Sequence, residues 1–298
     1  MQRPAHITVC VCTYRRPDLL ERLLAQLCTQ AADGLFTQSV VVVDNDEKRS
    51  AVQTIEKMRS RAPFAIEYDC EPVRNIAMAR NRSVDLARGD LLAFIDDDEW
   101  PGPTWLLTMY RVLAGEQAVA GVLGPVMPSF EADAPTWLIK ARFHEKTGPA
   151  SGTVLHWKQT RTSNVLMRRA LLEDPTTRFD VRFGKGGEDV DLFKRLIDRG
   201  HRFVWCSEAT VFETIPAERC TRTYLLRRAL LRGQGTAKYH GLGTSDLLKS
   251  TVAVPLYLAA MPVASLAGHH HLMKLLSKTA EHAARLLAVV GIELVKDY

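Results

Sequence analysis

The amino-acid sequence predicts an α/β protein with an open, mostly parallel, twisted sheet flanked by helices and a helical C-terminal extension. Two observations support this fold class. Over the first hundred residues, short apolar runs alternate with helical patterns, an order typical of parallel sheets with right-handed crossovers. From Arg219 onward, the pattern is helical. We therefore expect one domain at residues 1–217 and a helical, basic region at residues 218–298.

Apolar runs mark the first strands. Ile7–Cys12 and Val40–Val43 contain few polar residues, as expected of central parallel strands that are covered on both faces. A helix begins at Pro17 and carries its leucines on one face. The same reasoning predicts strands at Phe64–Tyr68 and Leu91–Ile95 and a helix at Asn75–Ala87.

The second half of the predicted domain is less regular. Two strands are expected at Ala118–Val126 and Val165–Met167, with a loop-rich stretch between them. A helix is expected at Glu188–Arg199, where the following glycine stops it. A single strand is expected at Phe203–Phe212.

Composition narrows the class of protein. The chain has 298 residues, a formal net charge of +5 and six cysteines, none of them in a C-x-x-C pair that would indicate zinc or redox chemistry. No signal-peptide pattern precedes the first strand, so we expect a cytoplasmic protein. The first strand runs into T-Y-R-R-P-D rather than G-x-G-x-x-G, which argues against a dehydrogenase. No nucleic-acid partner is expected.

Polar residues follow three of the predicted strands. In open parallel sheets, ligands bind beyond the carboxyl ends of the strands, where Thr13–Arg16, Asp44–Asp46 and Asp96–Asp98 are expected. Three adjacent carboxylates repel one another, and a hard divalent cation is their usual partner. If the strand continued, Asp96 and Asp98 would face one side and the residue between them the other. The alternative is an acidic turn that caps the next helix.

A second carboxylate cluster follows two glycines in Gly186–Asp191. Its acids lie at the start of a predicted helix, where the helix dipole favours the anionic form. Tandem glycines permit a close backbone approach but cost chain entropy, which a simple cap would not require. The alternative is that these acids only stabilise the first helical turn.

Two classes of enzyme use paired carboxylates beside an open sheet. In a glycoside hydrolase, two carboxylates flank the scissile bond. In a transferase, one cluster holds a metal on a diphosphate while a carboxylate of the other deprotonates the acceptor hydroxyl. The aspartate triplet, together with Asp44 and Asp46, favours the transferase. A non-catalytic nucleotide-sugar-binding subunit is the remaining alternative.

Four motifs in this order resemble the family 2 inverting glycosyltransferases with the GT-A fold. They are I-T-V-C-V-C-T-Y-R-R-P-D-L-L, V-V-V-V-D-N-D, A-R-N-R-S-V-D-L-A-R-G-D-L-L-A-F-I-D-D-D-E-W-P and G-G-E-D-V-D-L-F-K-R-L. The resemblance covers about residues 6–215. Within the family, the sequence looks most similar to bacterial succinoglycan-type exopolysaccharide glucosyltransferases. The resemblance implies an inverting, metal-dependent hexosyltransferase.

The resemblance also implies a role for each matching residue. Asp189 would be the general base, and Glu188 would bind hydroxyl groups of acceptor or donor. Within the nucleotide-sugar site, Asp44 would recognise the uracil base and Asp96 would lie near the ribose. The full set expected to contact the nucleotide sugar is Thr13, Tyr14, Arg16, Asp44, Asp46, Arg80, Asn81, Asp96 and Asp97.

The expected metal is Mn²⁺ or Mg²⁺, with Asp98 as its ligand. The sequence departs from the family at one position, because many relatives have a histidine ligand where this chain has Val211-Phe212-Glu213. Glu213 would then serve as an oxygen ligand, or the metal would rely on Asp98 and the diphosphate.

The resemblance implies transfer of a hexose such as glucose from a UDP-sugar to a saccharide acceptor in cell-surface or exopolysaccharide biosynthesis. The acceptor is expected to be linked to a polyprenyl diphosphate. Ser250–Gly268 contains no charged residue over nineteen positions, with basic residues on both sides. Because Pro255 and Pro262 would interrupt a helix, we expect an interfacial or re-entrant segment. The protein would then be peripheral on, or anchored to, the cytosolic face of the inner membrane. The alternative is a buried helix or a dimer interface.

Overall fold

Four parallel strands form one half of the central sheet. The structure is a computed structural model that describes residues 4–184, 186–240 and 243–295. The four strands are β1 (Ala5–Thr13), β2 (Phe36–Asp44), β3 (Ile66–Cys70) and β4 (Leu91–Phe94). β1 pairs in parallel with β2 and β4, and β2 pairs in parallel with β3. Thr13 lies opposite Asp44, so the residues that follow these strands meet at one edge of the sheet.

Three helices connect these strands: α1 (Pro17–Leu27), α2 (Val52–Arg59) and α3 (Ile76–Leu86). The leucines of α1 are buried at helical spacing, as predicted. The sequence did not predict α2, which is eight residues long and buries only a short stripe. At the start of α3, the side chain of Asn75 accepts hydrogen bonds from the backbone N–H groups of Ala77 and Met78.

The second half of the sheet contains antiparallel pairs. After β4 the chain continues with β5 (Glu99–Pro101), α4 (Trp105–Gly115), β6 (Val119–Leu123), β7 (Val126–Phe130), α5 (Thr136–Ala141) and β8 (Val165–Arg168). β8 runs antiparallel to both β4 and β6, with Val165 opposite Phe94 and Leu123. Consequently β8 begins at the edge where its neighbours end, and the polar residues before it enter the same region as those after β4.

Two predicted strands are each divided in the structure. Residues 118–126 form β6 and the start of β7, which are separated at Gly124-Pro125. After α6 (Glu188–Asp198), residues 203–212 form most of β9 (Arg202–Trp205) and the start of β10 (Val211–Ile215). Gly124 cannot carry a side chain without meeting the backbone of Ala209, and Pro125 has no N–H group for the ladder. Residues 118–126 contain no polar side chain and residues 203–212 contain few, so the sequence did not indicate either change of direction.

Within the described residues, the strand order is β3-β2-β1-β4-β8-β6-β9, and a small second sheet has the order β5-β10-β7. Apolar side chains cover both faces of the large sheet. One layer includes Leu20, Leu24 and Trp105, and the other includes Phe179 and Phe193. These two layers bury both faces of the sheet below the edge at which β1 and β2 end.

Contacts divide the chain into two compact units. The first comprises residues 1–128 and 145–213, and the second comprises residues 129–144 and 214–298. The second unit contains α5 and three further helices, α7 (Arg222–His240), α8 (Thr244–Ala267) and α9 (His269–Val289). α5 packs on α9, where the rings of Trp137 and His269 lie 5.3 Å apart. The sequence did not predict that residues 129–144 belong with the C-terminal helices.

α8 is long and apolar enough to cross a membrane by length and composition. Only 6% of its most apolar 18-residue window is buried within the protein. The expected interruption at Pro255 and Pro262 is wrong, because the helix continues through both. Each proline removes only one backbone hydrogen bond, and both rings lie on exposed positions.

Candidate active site

The aspartate triplet lies in a turn after β4, not on the strand. β4 ends at Phe94, so the expected alternation of faces does not extend to the triplet. Arg16 Nη1 donates to Asp97 Oδ1 and Asp98 Oδ2, each at 3.0 Å. Thr13 Oγ1 donates to Asp97 Oδ2 at 2.8 Å. The carboxyl end of β1 thereby holds two of the three carboxylates.

The triplet carries more negative charge than Arg16 neutralises. Burial raises the pKa of Asp98 to about 6, and the charges of Asp96 and Glu213 contribute to the rise. Burial also raises the pKa of Asp97, although Arg16 opposes this. A cation bound beside Asp98 would relieve the repulsion. No group of three or more His, Cys, Asp or Glu residues that could hold a metal occurs within residues 4–184, 186–240 and 243–295.

Arg80 joins the two carboxylate clusters. Its Nη1 donates to Glu188 Oε1, and its Nη2 donates to Asp96 Oδ1 at 3.4 Å. The side chains of Arg80 and Glu188 are only 10% and 5% exposed. Glu188 Oε2 is buried and has no hydrogen-bond partner in the described part of the chain. The structure therefore brings together Arg80, Asp96 and Glu188, which the sequence places in two separate motifs.

Asp189 lies beside this group on the first turn of α6. Gly186 and Gly187 precede the helix with φ angles of 121° and 93°, in the left-handed region that favours glycine. The backbone N–H of Val190 donates to Asp189 Oδ1 at 2.7 Å, and the side chain is half-buried. The tandem glycines therefore set the direction in which α6 enters the site.

Lys146 contacts the carboxylate that the sequence analysis considered as a second metal ligand. Its Nζ lies 2.8 Å from Glu213 Oε2 and 3.5 Å from Glu99 Oε1. Glu99 is fully buried, and burial raises its pKa. Glu213 is paired in register with Glu99 across β5 and β10. Lys146 thus supplies positive charge to this carboxylate pair.

Asp44 is fully buried and binds the chain that follows it. It accepts hydrogen bonds from the backbone N–H groups of Asp46 and Ala51, at 3.1 and 2.8 Å, and from Tyr68 OH at 3.2 Å. Burial raises the pKa of Asp44, and these hydrogen bonds oppose the rise. Any effect of Asp44 on a bound base would therefore be transmitted by the loop after β2.

Tyr14 and Asp46 form a second polar group at the same edge. The guanidinium carbons of Arg15 and Arg74 lie 4.9 and 4.7 Å from the centroid of the Tyr14 ring. Arg15 also donates two hydrogen bonds to Asp46, at 3.2 and 3.4 Å, and lowers the pKa of that carboxyl. The cluster offers an aromatic ring and two cations to a ligand.

Asn81 is engaged by the protein itself. Its Nδ2 donates to the carbonyl of Phe179 at 2.8 Å, and its Oδ1 accepts from the N–H of Phe179 at 2.9 Å. Both ends of the amide therefore hold a loop in position, whereas the resemblance implies that Asn81 contacts the nucleotide sugar.

Sequence reasoning missed several charged residues of this region. Arg15 lies inside the first motif but was given no role, and Arg74 lies between the second and third motifs, where nothing in the sequence distinguishes it from a surface arginine. Lys146 and Arg161 lie in the loop-rich stretch, where no periodicity indicated a structural position. Arg161 could have been placed at the site only if the antiparallel direction of β8 had been predicted.

Comparison with known proteins agrees with the motifs. The family model for glycosyl transferase family 2 matches residues 8–175. Succinoglycan biosynthesis protein ExoM of Rhizobium meliloti (strain 1021) is 32% identical over 301 residues, covering 98% of this chain and 96% of ExoM. The family resemblance is thereby confirmed.

Solved structures show the same fold. The mannosyltransferase PcManGT from Pyrobaculum calidifontis, in complex with GDP-Man and Mn²⁺, has a TM-score of 0.63 at 21% identity over 97% of this chain and 87% of its own. S. aureus TarS 1–349 in complex with UDP has a TM-score of 0.56 at 15% identity, with coverage of 98% and 94%. These likenesses confirm the predicted GT-A fold. The chain therefore belongs to glycosyl transferase family 2.

Proposed function

We propose that this glycosyltransferase moves a hexose from a UDP-sugar to a saccharide acceptor with inversion at the anomeric carbon. The observation that carries the proposal is the bridge from Arg80 to both Asp96 and Glu188, which joins the donor-side and acceptor-side carboxylates. A transferase needs both functions within reach of one anomeric carbon. PcManGT and TarS, which share the fold, bind GDP-Man and UDP respectively.

In this proposal, Asp189 removes the proton from the acceptor hydroxyl. That oxygen attacks the anomeric carbon from the side opposite the departing nucleoside diphosphate, so an α-linked donor yields a β-linked product. Glu188, fixed by Arg80, would bind a hydroxyl group of the acceptor or donor.

The donor set fits a divalent cation. Asp98 and Asp96 offer the carboxylate oxygens that Mg²⁺ and Mn²⁺ prefer, and such ions commonly use one or two carboxylates together with substrate phosphates. Glu213 is held by Lys146, which supports the version in which Asp98 and the diphosphate provide the main contacts. When bound, the cation would stabilise negative charge on the leaving diphosphate.

The nucleotide would occupy the edge formed by the ends of β1, β2 and β4. Tyr14 with its two arginines suits a base and a phosphate, and Thr13, Arg16 and Asp97 form the floor beneath them. Asp44 and Asn81 would contribute by holding loops rather than by direct contact.

The biological setting we propose is exopolysaccharide biosynthesis at the cytosolic face of the membrane. Support comes from the near full-length similarity to ExoM, a succinoglycan biosynthesis protein. The exposed apolar surface of α8 supports contact with lipid, and a polyprenyl-diphosphate-linked acceptor would be presented at that surface.

A panel of nucleotide sugars tests the proposal. The protein is heated with each donor, with and without Mn²⁺, and slow donor hydrolysis is followed separately. One UDP-hexose should raise Tm, since a ligand at a hundred times its Kd stabilises by about 2.7 kcal/mol. EDTA and Asp98→Ala should both reduce this rise. Stabilisation by free oligosaccharide with none by any nucleotide sugar would instead indicate a hydrolase.

A non-catalytic subunit would give a different pattern in the same experiment. It would bind the donor and raise Tm, yet donor hydrolysis would stay at the background rate with every acceptor tested. The two measurements together therefore separate an enzyme from a binding subunit.

A further inference from the structure

The segment Thr160–Asn164 leads into the candidate active site from the opposite direction to its neighbours. β8 begins at Val165, which lies opposite Phe94, the last residue of β4. Residues just before β8 therefore lie at the same edge of the sheet as the aspartate triplet. Thr160, Thr162, Ser163 and Asn164 are all at most 5% exposed. Burying polar side chains costs free energy unless they are hydrogen-bonded, so the contacts of this segment indicate its role.

Asn164 fixes the segment in place. It is fully buried with φ 57°, its Nδ2 donates to the carbonyls of Pro125 at 2.8 Å and Ala209 at 2.7 Å, and its Oδ1 accepts from Trp105 Nε1 at 2.8 Å. These bonds tie the segment to three different parts of the fold. The neighbouring side chains are therefore held rigidly.

Arg161 is a half-buried cation without an ion pair in the described part of the chain. Its Nη2 donates to the carbonyls of Gly124 at 3.2 Å and Lys146 at 2.9 Å. Its Nε is buried and lacks a hydrogen-bond partner among the described residues. Burial lowers the pKa of Arg161, while Glu99 and Asp189 raise it. A guanidinium left in this state costs stability unless a ligand supplies the anion.

Three other cations beside the carboxylate clusters are paired with carboxylates. Arg16 contacts two carboxylates of the triplet, Arg80 contacts Asp96 and Glu188, and Lys146 contacts Glu99 and Glu213. Arg161 differs from them because its contacts within the described chain are two carbonyl groups and the Trp205 ring, 5.3 Å away. Its positive charge is thus available to a substrate.

We propose that Arg161 binds a diphosphate group of the substrate in the active site. The inference rests on the proposed transfer reaction, in which the proton acceptor Asp189 influences the same guanidinium. A planar guanidinium matches phosphate oxygens with paired hydrogen bonds. A diphosphate occurs in the nucleotide donor and in a polyprenyl-diphosphate-linked acceptor, and the experiment separates these two sources.

Arg161→Gln tests the proposal, with Arg168→Gln as the matched control. Arg168 also donates to two carbonyls, those of Val119 and Leu113, but it lies at the far end of β8. Calorimetry should show that Arg161→Gln weakens UDP binding about tenfold or more and leaves uridine binding unchanged, because only UDP carries the charged group. Tm of this variant should fall less than that of Arg168→Gln, because the loss of its two hydrogen bonds to carbonyls is offset by the removal of a half-buried charge that has no ion pair in the described part of the chain. Arg168→Gln should lower Tm and keep UDP affinity.

The remaining outcomes are also decisive. Unchanged UDP affinity with a tenfold higher KM for the lipid-diphosphate acceptor, but not for the same sugar without diphosphate, assigns the acceptor as the source. Unchanged UDP affinity and unchanged acceptor KM overturn the inference while the proposed function stands. If wild-type protein binds no UDP, the proposed function fails first and takes this inference with it. Arg161→Met, which removes the charge but keeps a long, unbranched side chain, provides the same comparison if the glutamine variant does not fold.

Discussion

Arg80 is a buried cation that contacts carboxylates from both halves of the candidate active site. Its partner Glu188 is almost completely withdrawn from water, with a side chain only 5% exposed. A charge in that position is tolerated because the guanidinium is present, and removal of one partner leaves the other uncompensated. The bond therefore contributes to the integrity of the fold as well as to the site.

Arg80→Ala should lower the free energy of unfolding by about 3–5 kcal/mol, because Glu188 is left buried and unpaired. The matched control is Arg82→Ala on the same helix, whose ion pair with Asp69 at 2.6 Å is partly exposed and should contribute less than about 1 kcal/mol. Urea denaturation measures both. Adding Glu188→Gln to Arg80→Ala should recover part of the loss, and equal effects of the two single substitutions would contradict the buried-pair interpretation.

Asp189→Asn should lower kcat by about 10²–10⁴-fold while donor affinity stays within a few-fold, because a general base acts mainly in the transition state. Asp191→Asn is the control, since that carboxylate lies on the same helical turn and pairs with Arg195 at 2.8 Å. Steady-state transfer and donor titration measure the two effects. Near wild-type turnover in Asp189→Asn would remove this residue from the proposed mechanism.

The strands and helices differ in how well the sequence predicts them. The parallel half of the sheet follows from long apolar runs such as Val40–Val43, and the polar residues after those strands lie at the site as expected. β8 is four residues long and carries no pattern that reveals its direction, so its antiparallel course was not predicted. β5 and α2 were missed because three and eight residues give too few repeats for a period to appear.

The side-chain partners of individual site residues were less predictable. Asn81 and Arg80 are adjacent in the same motif, yet one amide binds Phe179, 98 residues away, while the neighbouring guanidinium binds Glu188. Asp44 and Asp46 both lie at the end of β2, so their positions in the sequence do not show which of them would face a ligand. Which of these side chains faces a ligand depends on distant loops that pack around them, and a single sequence does not contain that information.

The tandem glycines before α6 provide a prediction about an element as a whole. Gly187→Ala should destabilise the fold by about 1–2 kcal/mol, because φ 93° is strained for any residue with a Cβ atom, and it should reduce transfer by shifting Glu188. Gly115→Ala is the control, since its added Cβ would meet no atom within 4 Å and its φ is unrestrictive. Thermal melting and transfer rates measure both variants. Equal stability of the Gly187→Ala and Gly115→Ala variants would show that the start of α6 accommodates a Cβ atom at residue 187 without loss of stability.

The C-terminal helices give the molecule a large exposed apolar surface. α8 contacts α9 on one side, where Ser250 Oγ lies 3.0 Å from His282 Nδ1, and its other sides face outward. Leu256, Val263 and Leu266 are 61%, 70% and 90% exposed. Exposed apolar patches of this kind are typical of surfaces that bind membranes or other proteins. The surface is consistent with the peripheral membrane location that we propose.

The full-length protein should co-sediment with vesicles of anionic phospholipid, and replacing Leu256, Val263 and Leu266 by serine should abolish most of that binding. Because these side chains are exposed, Tm should not change. Val181→Ser, which alters a 50% exposed residue of the other compact unit, is the control. Protein that stays in the supernatant with vesicles at moderate salt would contradict the membrane interpretation.

Arg80 also links the energetics of the two substrates. Because one guanidinium serves both Asp96 and Glu188, a donor that draws Asp96 toward itself changes how firmly Glu188 is held for the acceptor. Thermodynamic reciprocity then requires the two binding events to alter each other's equilibrium constants by the same factor. In the proposed reaction, this single side chain would therefore couple the binding of the donor to the binding of the acceptor.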